Sequence, residues 1–171
     1  FFMADGSCGS YDSKWGKKHT WVINNNNMEY LNEAKEKLER VEGYKFKILD
    51  TLKSSGVYKL VPNCEKIKPI CEKYRELLYF NNGKSKEKIV PITILQNNVK
   101  IQEAFWKGYY IGDGDKDKHG YTQCDCKNQV TAQTLYMLLK NIGYNVSINT
   151  RKDKQNIFRL TGTKLKNKRP L

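Results

Sequence analysis

Apolar positions recur along this chain with two alternating periods. His19–Ile23 alternates as a strand, Asn24–Asn27 reads as a turn and helix cap, and Met28, Leu31, Ala34, Leu38 and Val41 share a face that predicts a helix over 28–41. Gly43-Tyr44 stops that helix, and Lys45–Leu49 alternates as the next strand. Val57–Val61 predicts a short strand. Ile67–Phe80 predicts a helix with Ile70, Cys71, Tyr74, Leu77 and Leu78 inward. Asn82-Gly83 marks a turn, and Pro91 opens a short segment before a central helix that begins at Val99 or Lys100. The order then repeats. Gly120–Cys126 reads as strand, and Gln129–Ile142 as helix on Val130, Leu135, Leu138, Leu139 and Ile142. Gly143-Tyr144 is the stop, and Asn145–Asn149 and Ile157–Thr161 are the closing strands. Tyr11–Lys18 is expected as a long loop, and Lys164–Arg169 as a solvated tail.

Both rounds begin at an Asp-Gly pair that ends an apolar, glycine-containing stretch: Phe1-Phe2-Met3-Ala4-Asp5-Gly6 and Phe105-Trp106-Lys107-Gly108-Tyr109-Tyr110-Ile111-Gly112-Asp113-Gly114. This predicts two related α+β halves, 1–97 and 98–171, built by duplication. Gly108 and Gly112 are four apart and leave a groove without side chains on one helix face, where a second helix can cross closely. Ala4 matches Gly112 in the first copy. Glycine within a helix costs about 0.5–1 kcal/mol relative to alanine, so the pair calls for a compensating contact. Gly6 and Gly114 are expected to take the left-handed conformation that ends a helix.

Asp5 and Asp113 then stand at helix C-termini, where unpaired carbonyls disfavour a carboxylate and a positive neighbour is required. Packing the helices side by side brings the two acids together. Like charges at short range call for a cation, and Mg2+ suits the hard oxygens of Asp5, Asp113, the Ala4 and Gly112 carbonyls and a phosphate.

Charge supplies the partner. The 171 residues include 31 Lys and Arg against 18 Asp and Glu, a net +13, which points to a polyanion. No apolar run is long enough to span a bilayer and no signal peptide precedes Asp5, so an intracellular, non-secreted protein is expected. Five cysteines in no paired pattern read as ordinary thiols, with Cys124 and Cys126 facing one side of a strand.

Phe105–Gly114 resembles the second signature helix of the LAGLIDADG homing endonucleases, in the double-motif form carried inside inteins, and Phe2–Gly6 resembles the end of the first. The resemblance implies a pseudo-dimer of two αββαββα-type halves with the signature helices at their interface, here with the first helix and the last elements cut short. It implies Mg2+-dependent hydrolysis of duplex DNA at a long asymmetric target, with Asp5 and Asp113 on the metals. Lys88, ahead of Pro91, matches the family's catalytic lysine, and the second half lacks an evident counterpart. Met3 and Ile111 replace the earlier acid of each motif, a position commonly altered in the family. The splicing residues of an intein are not found, so splicing by this chain alone is not expected; a DNA polymerase is the host that the resemblance suggests.

Base readers are expected among polar and basic residues that alternate with core positions: Lys45, Lys47, Asn145, Ser147, Asn149, Arg151, Arg159 and the 11–18 segment. A monomer with internal pseudo-two-fold symmetry follows. An inactive DNA-binding or RNA maturase-like descendant would keep this basic face without cutting. A structural RNA-binding protein would leave the paired Asp-Gly ends unexplained, and a protein-interaction domain would leave the charge unexplained.

Overall fold

The computed structural model describes residues 1–115 and 121–165. Its first half runs α1 (Phe2–Asp5), β1 (Gly6–Ser13), β2 (Gly16–Asn25), α2 (Met28–Glu42), β3 (Phe46–Thr51), α3 (Leu52–Ser55), β4 (Val57–Pro62), α4 (Lys68–Leu78) and α5 (Ile92–Leu95). The second runs α6 (Val99–Asp113), β5 (Gly114–Asp115), β6 (Thr122–Lys127), α7 (Gln129–Asn141), β7 (Tyr144–Thr150) and β8 (Ile157–Lys164). The strands form two antiparallel four-stranded sheets of matching order, β1-β2-β4-β3 and β5-β6-β8-β7. The two rounds seen in the sequence are therefore two lobes of one α+β fold.

Local chemistry sets the main boundaries. The Asn27 side chain accepts from the Glu29 and Tyr30 amides to start α2, and the Asn98 side chain accepts from Ile101 to start α6. Gly43 and Gly143 follow the helices α2 and α7 with φ of +70° and +83°, a region glycine enters without strain.

Several expectations are corrected. The 11–18 segment is not a loop: it forms the tip of a β1–β2 hairpin, with Tyr11 opposite Lys18 and Ser13 opposite Gly16. Its side chains face solvent, so no apolar alternation marks it, and its order comes from the ladder and a turn closed by Ser13 Oγ donating to the Gly16 carbonyl at 2.6 Å. Gly6 and Gly114 are not left-handed but extended, at φ −88° and −75°. Each opens a strand, and glycine is needed for space, because an added methyl would overlap the Phe2 or the Tyr110 ring. Helix α4 stops at Leu78, since Tyr79 turns extended to bridge Lys88. Leu77 is left exposed beside Phe80 and Ile92, and Val41 falls in the last turn of α2, beyond the packed Leu31, Ala34 and Leu38. Gly120 and residues 166–169 of the tail lie outside the described residues.

Each lobe has its own core. Phe2, Cys8, Trp21, Ile23, Leu31, Phe46, Leu60 and Ile70 fill the first, and Trp106, Tyr109, Leu135, Leu138, Leu139 and Leu160 the second. The short α1 joins them: Phe2 enters the first core, 4.9 Å from the Trp21 ring and 4.7 Å from that of Tyr74, while its neighbour Met3 enters the second. Phe105 of α6 packs against both cores.

The crossing of α1 and α6 is as close as the glycine spacing suggests. A methyl at Gly112 would stand 2.6 Å from Ala4 Cβ and 2.9 Å from Asp5 Oδ2, and one at Gly108 would stand 2.8 Å from the Phe1 nitrogen. Gly112→Ala is therefore expected to cost about 1–3 kcal/mol in urea unfolding through overpacking. Gly9→Ala, at a site with nothing within 4 Å, is expected to stay within about 0.5 kcal/mol of the wild type.

Candidate functional site

Because Gly112 admits the end of α1 against α6, Asp5 and Asp113 leave their helices at one place between the lobes. Asp5 is half-buried and accepts from Asn25 Nδ2 at 2.6 Å. Burial pushes its carboxyl above the ordinary aspartate range, while the Asn25 hydrogen bond pulls the other way. Burial also pushes the Asp113 carboxyl up, Asp5 adds to this by repulsion, and a hydrogen bond from the buried Tyr109 hydroxyl partly offsets both. Burial raises both acids, and Asp5 raises Asp113 further, so each needs positive charge or hydrogen-bond donors beside it to stay ionised.

Lys88 provides the positive neighbour that these acids need. Its ammonium donates to the carbonyls of Met3 at 2.9 Å, of Ala4 at 3.5 Å and of Gly6, closing the C-terminal end of α1. Burial lowers its pKa from the lysine value, and the charges of Asp113 and Asp5 restore part of it. Both lobes hold the residue. The Thr131 hydroxyl of α7 donates to the Lys88 carbonyl at 2.6 Å, and the Arg75 guanidinium of α4 donates to the Gly83 carbonyl and to the Ser85 carbonyl at 2.7 Å, which fixes the turn leading to Lys88.

Two supporting residues were not picked out from the sequence. Asn25 ends β2 and braces Asp5; its only signal was membership of the asparagine run read as a turn. Tyr109 lies one helical turn before Asp113, a spacing that could have nominated it. The halves also differ at one matched position. Gly6 pairs with Ile23 as Gly114 pairs with Cys124, which sets Asn25 and Cys126 in equivalent places. Cys126 is a buried thiol pushed up to about 12 by burial and then by Asp113. Asp113 thus leans on tyrosine where Asp5 leans on asparagine.

The residues fit a hard divalent cation in part. The carboxylates of Asp5 and Asp113 are suitable oxygen donors, and the Ala4 and Gly112 carbonyls are beside them. Among the described residues no group of three or more His, Cys, Asp or Glu side chains could hold a metal. Remaining ligands would have to come from backbone, water or substrate oxygen.

Each sheet packs one face on its helices and turns the other outward. In the second lobe Val146 and Ile148 pack on the core, while Asn145, Ser147 and Asn149 are exposed across from Thr163, Thr161 and Arg159. In the first, Lys47 lines an open groove of about 800 Å3 with Thr20, Val22, Asn24, Lys59 and Val61. Lys59 and Asn24 were missed as candidates: Asn24 reads in the sequence as part of a turn but lies in β2, and which face Lys59 presents is set only by the packed sheet. Lys45 precedes β3 and pairs with Glu39 of α2 at 3.7 Å, away from the groove-lining set. Arg151 and Arg159 both bind Asp125, with Arg151 also on Asp153.

The two-lobed arrangement has close structural counterparts. The crystal structure of I-DmoI in complex with DNA and Mn superposes with a TM-score of 0.67 at 19% identity, covering 95% of this chain and 84% of that one. I-DmoI variant structures agree: one with its target DNA in the presence of Mg gives 0.66 at 18%, covering 95% and 84%, and one of mesophilic variants gives 0.66 at 17%, covering 95% and 83%. The chain has the LAGLIDADG homing endonuclease fold. The chain is also 49% identical over 175 residues to a segment of the DNA polymerase of Acanthamoeba polyphaga mimivirus. The match takes in all of this chain and 10% of the polymerase. No family model matches. No helix among the described residues is long and apolar enough to cross a membrane.

Replacing Asn25 with alanine removes the donor that favours the Asp5 carboxylate. The Asp5 titration midpoint, followed by carboxyl-carbon NMR, is expected to move further up; an unmoved midpoint would show that Asn25 does not brace it.

Proposed function

We propose that this chain is a site-specific endonuclease that hydrolyses phosphodiester bonds in duplex DNA with Mg2+, and that it is the endonuclease segment of an intein within a DNA polymerase. The observation that carries the reading is the convergence of Asp5, Asp113 and Lys88 at the helix crossing between two sheets with polar outer faces. The fold shared with I-DmoI and the likeness to a stretch of viral DNA polymerase support it. An intracellular setting goes with it.

In this reading the halves 1–97 and 98–171 each address one half-site, as a monomer with pseudo-two-fold symmetry. Bound at Asp5 and Asp113, with the Ala4 and Gly112 carbonyls, the metal would supply Lewis-acid activation of water and of the scissile phosphate. Hydrogen bonds from Asn25 and Tyr109 favour the ionised form of the two carboxylates and orient them. Lys88, whose ammonium is held on the α1 carbonyls beside both acids, acts through its charge, offsetting that of the acids and of the phosphate in the transition state. Lys47, Asn145, Ser147, Asn149 and Arg159 contact the major groove, joined by Lys59, Asn24 and the hairpin tip around Lys14, Lys17 and Lys18. Lys45 contributes at the margin of that surface, and Arg151 supports it through Asp125. Unequal halves read unequal half-sites, so the target is asymmetric.

Incubating a randomised duplex library with Mg2+ tests the reading. Specific double-strand cuts are expected, and EDTA should abolish them. Asp5→Asn and Asp113→Asn should each lower cleavage by on the order of 10³-fold or more, with DNA binding retained. Lys88→Met should lower it by about 10²-fold. Tight binding with no cut under any condition would replace the nuclease with a DNA-binding or maturase-like descendant.

A further inference from the structure

On the outer face of the second sheet, Asp125 is held between two arginines. Strand alternation buries its neighbours Cys124 and Cys126 and turns Asp125 outward. Arg159 lies directly opposite on β8, and Asn149 lies opposite Arg159 on β7. Arg159 approaches the carboxylate side-on, with Nε to Oδ1 at 2.7 Å and Nη2 to Oδ2 at 2.9 Å. Among the described residues that leaves the outer edge of the guanidinium free: both hydrogens of Nη1 and one of Nη2 have no role at Asp125.

Arg151 is engaged differently. Its Nη1 donates to Asp125 Oδ2 at 2.7 Å, its Nε to Asp153 Oδ1 at 2.8 Å, and its Nη2 to Asp153 Oδ2. Every guanidinium nitrogen is thus occupied. Two carboxylates and two guanidiniums cancel, so the cluster adds nothing to the long-range attraction between a +13 chain and a polyanion. An arginine fixed side-on by an acid, with its other edge open, instead presents two parallel donors, the pattern that O6 and N7 of guanine accept in the major groove. The arginines in turn hold the Asp125 carboxyl below the ordinary range, Arg159 foremost, which keeps the brace ionised.

We propose that Asp125 is a specificity-determining residue that locks Arg159 as the reader of one guanine, with Arg151 bracing Asp125 rather than touching DNA. Asp125 and Asp113 border one small cavity of about 230 Å3 together with Lys88, so the base pair lies next to the cleavage site, on the second lobe's side. This rests on the reading of the chain as a sequence-specific DNA-binding protein.

The test is a binding selection from a randomised duplex library, which requires no cleavage. It is run on the wild type, Asp125→Asn, Asp125→Ala and Arg159→Lys, each checked for folding by thermal unfolding. The wild type is expected to enrich guanine at a position near the centre of the site. The Asp125 variants and Arg159→Lys should each lose on the order of tenfold to hundredfold discrimination at that position alone. Unchanged guanine preference in both Asp125 variants overturns the proposal while leaving sequence-specific binding intact. Loss spread evenly over all positions, or failure of both Asp125 variants to fold, also overturns it by making the residue structural. No enriched sequence with the wild type overturns the DNA-reading function and this proposal together.

Discussion

The close crossing of α1 and α6 is the contact on which the rest depends. With no side chain at Gly112, Ala4 and Asp5 of the first lobe reach the backbone of the second, and the distances leave no room for a methyl. Such proximity serves packing and chemistry together. The same residues that let Phe2 and Met3 enter opposite cores deliver two carboxylates to one place. Any separation of the lobes would spoil both.

Placing two acids at neighbouring helix C-termini, Asp5 half-buried and Asp113 more exposed, is electrostatically unfavourable, and the surrounding residues show how it is offset. Lys88 caps α1 from below, Asn25 donates to Asp5, and Tyr109 donates to Asp113. None of the three belongs to the helix end it supports except Tyr109. Lys88 in particular stands on an irregular segment held by Thr131 of one lobe and, through the turn before it, by Arg75 of the other. The two acids consequently differ in environment. The two lobes have matching frames, but Asn25 and Cys126 occupy the same place in them and differ in what they do: one donates to its acid, and the other is a buried thiol.

The outer faces of the sheets show a second division of labour. In the first lobe, lysines in an open groove keep their charge available. In the second, Asp125, Arg151, Asp153 and Arg159 are paired off with one another. A free lysine attracts a polyanion from a distance, whereas a neutralised, oriented guanidinium acts only on contact. One chain of +13 thus carries lysines lining an open groove on one sheet and a mutually neutralised charge cluster on the other.

Much of this was legible in the chain itself. Repeated apolar periods, the paired Asp-Gly ends, the four-residue spacing of Gly108 and Gly112, and the Gly43 and Gly143 stops are local signals, because burial on one face, helix termination and close approach each demand particular residue types at short range. They determined the two α+β halves, the helix crossing and the candidate acids. Where side chains face solvent the signal vanished, so the 11–18 hairpin read as a loop. The reason for glycine at 6 and 114 was also hidden, since crowding by Phe2 and Tyr110 is a property of the packed chain. Only the tertiary structure decided that Asn25 braces Asp5 across 20 residues, that Lys88 meets α1 across more than 80, and that Asp125 ties Arg151 and Arg159 together. Those contacts join strands and turns remote in sequence, and charge partners at such separations leave no periodicity to read.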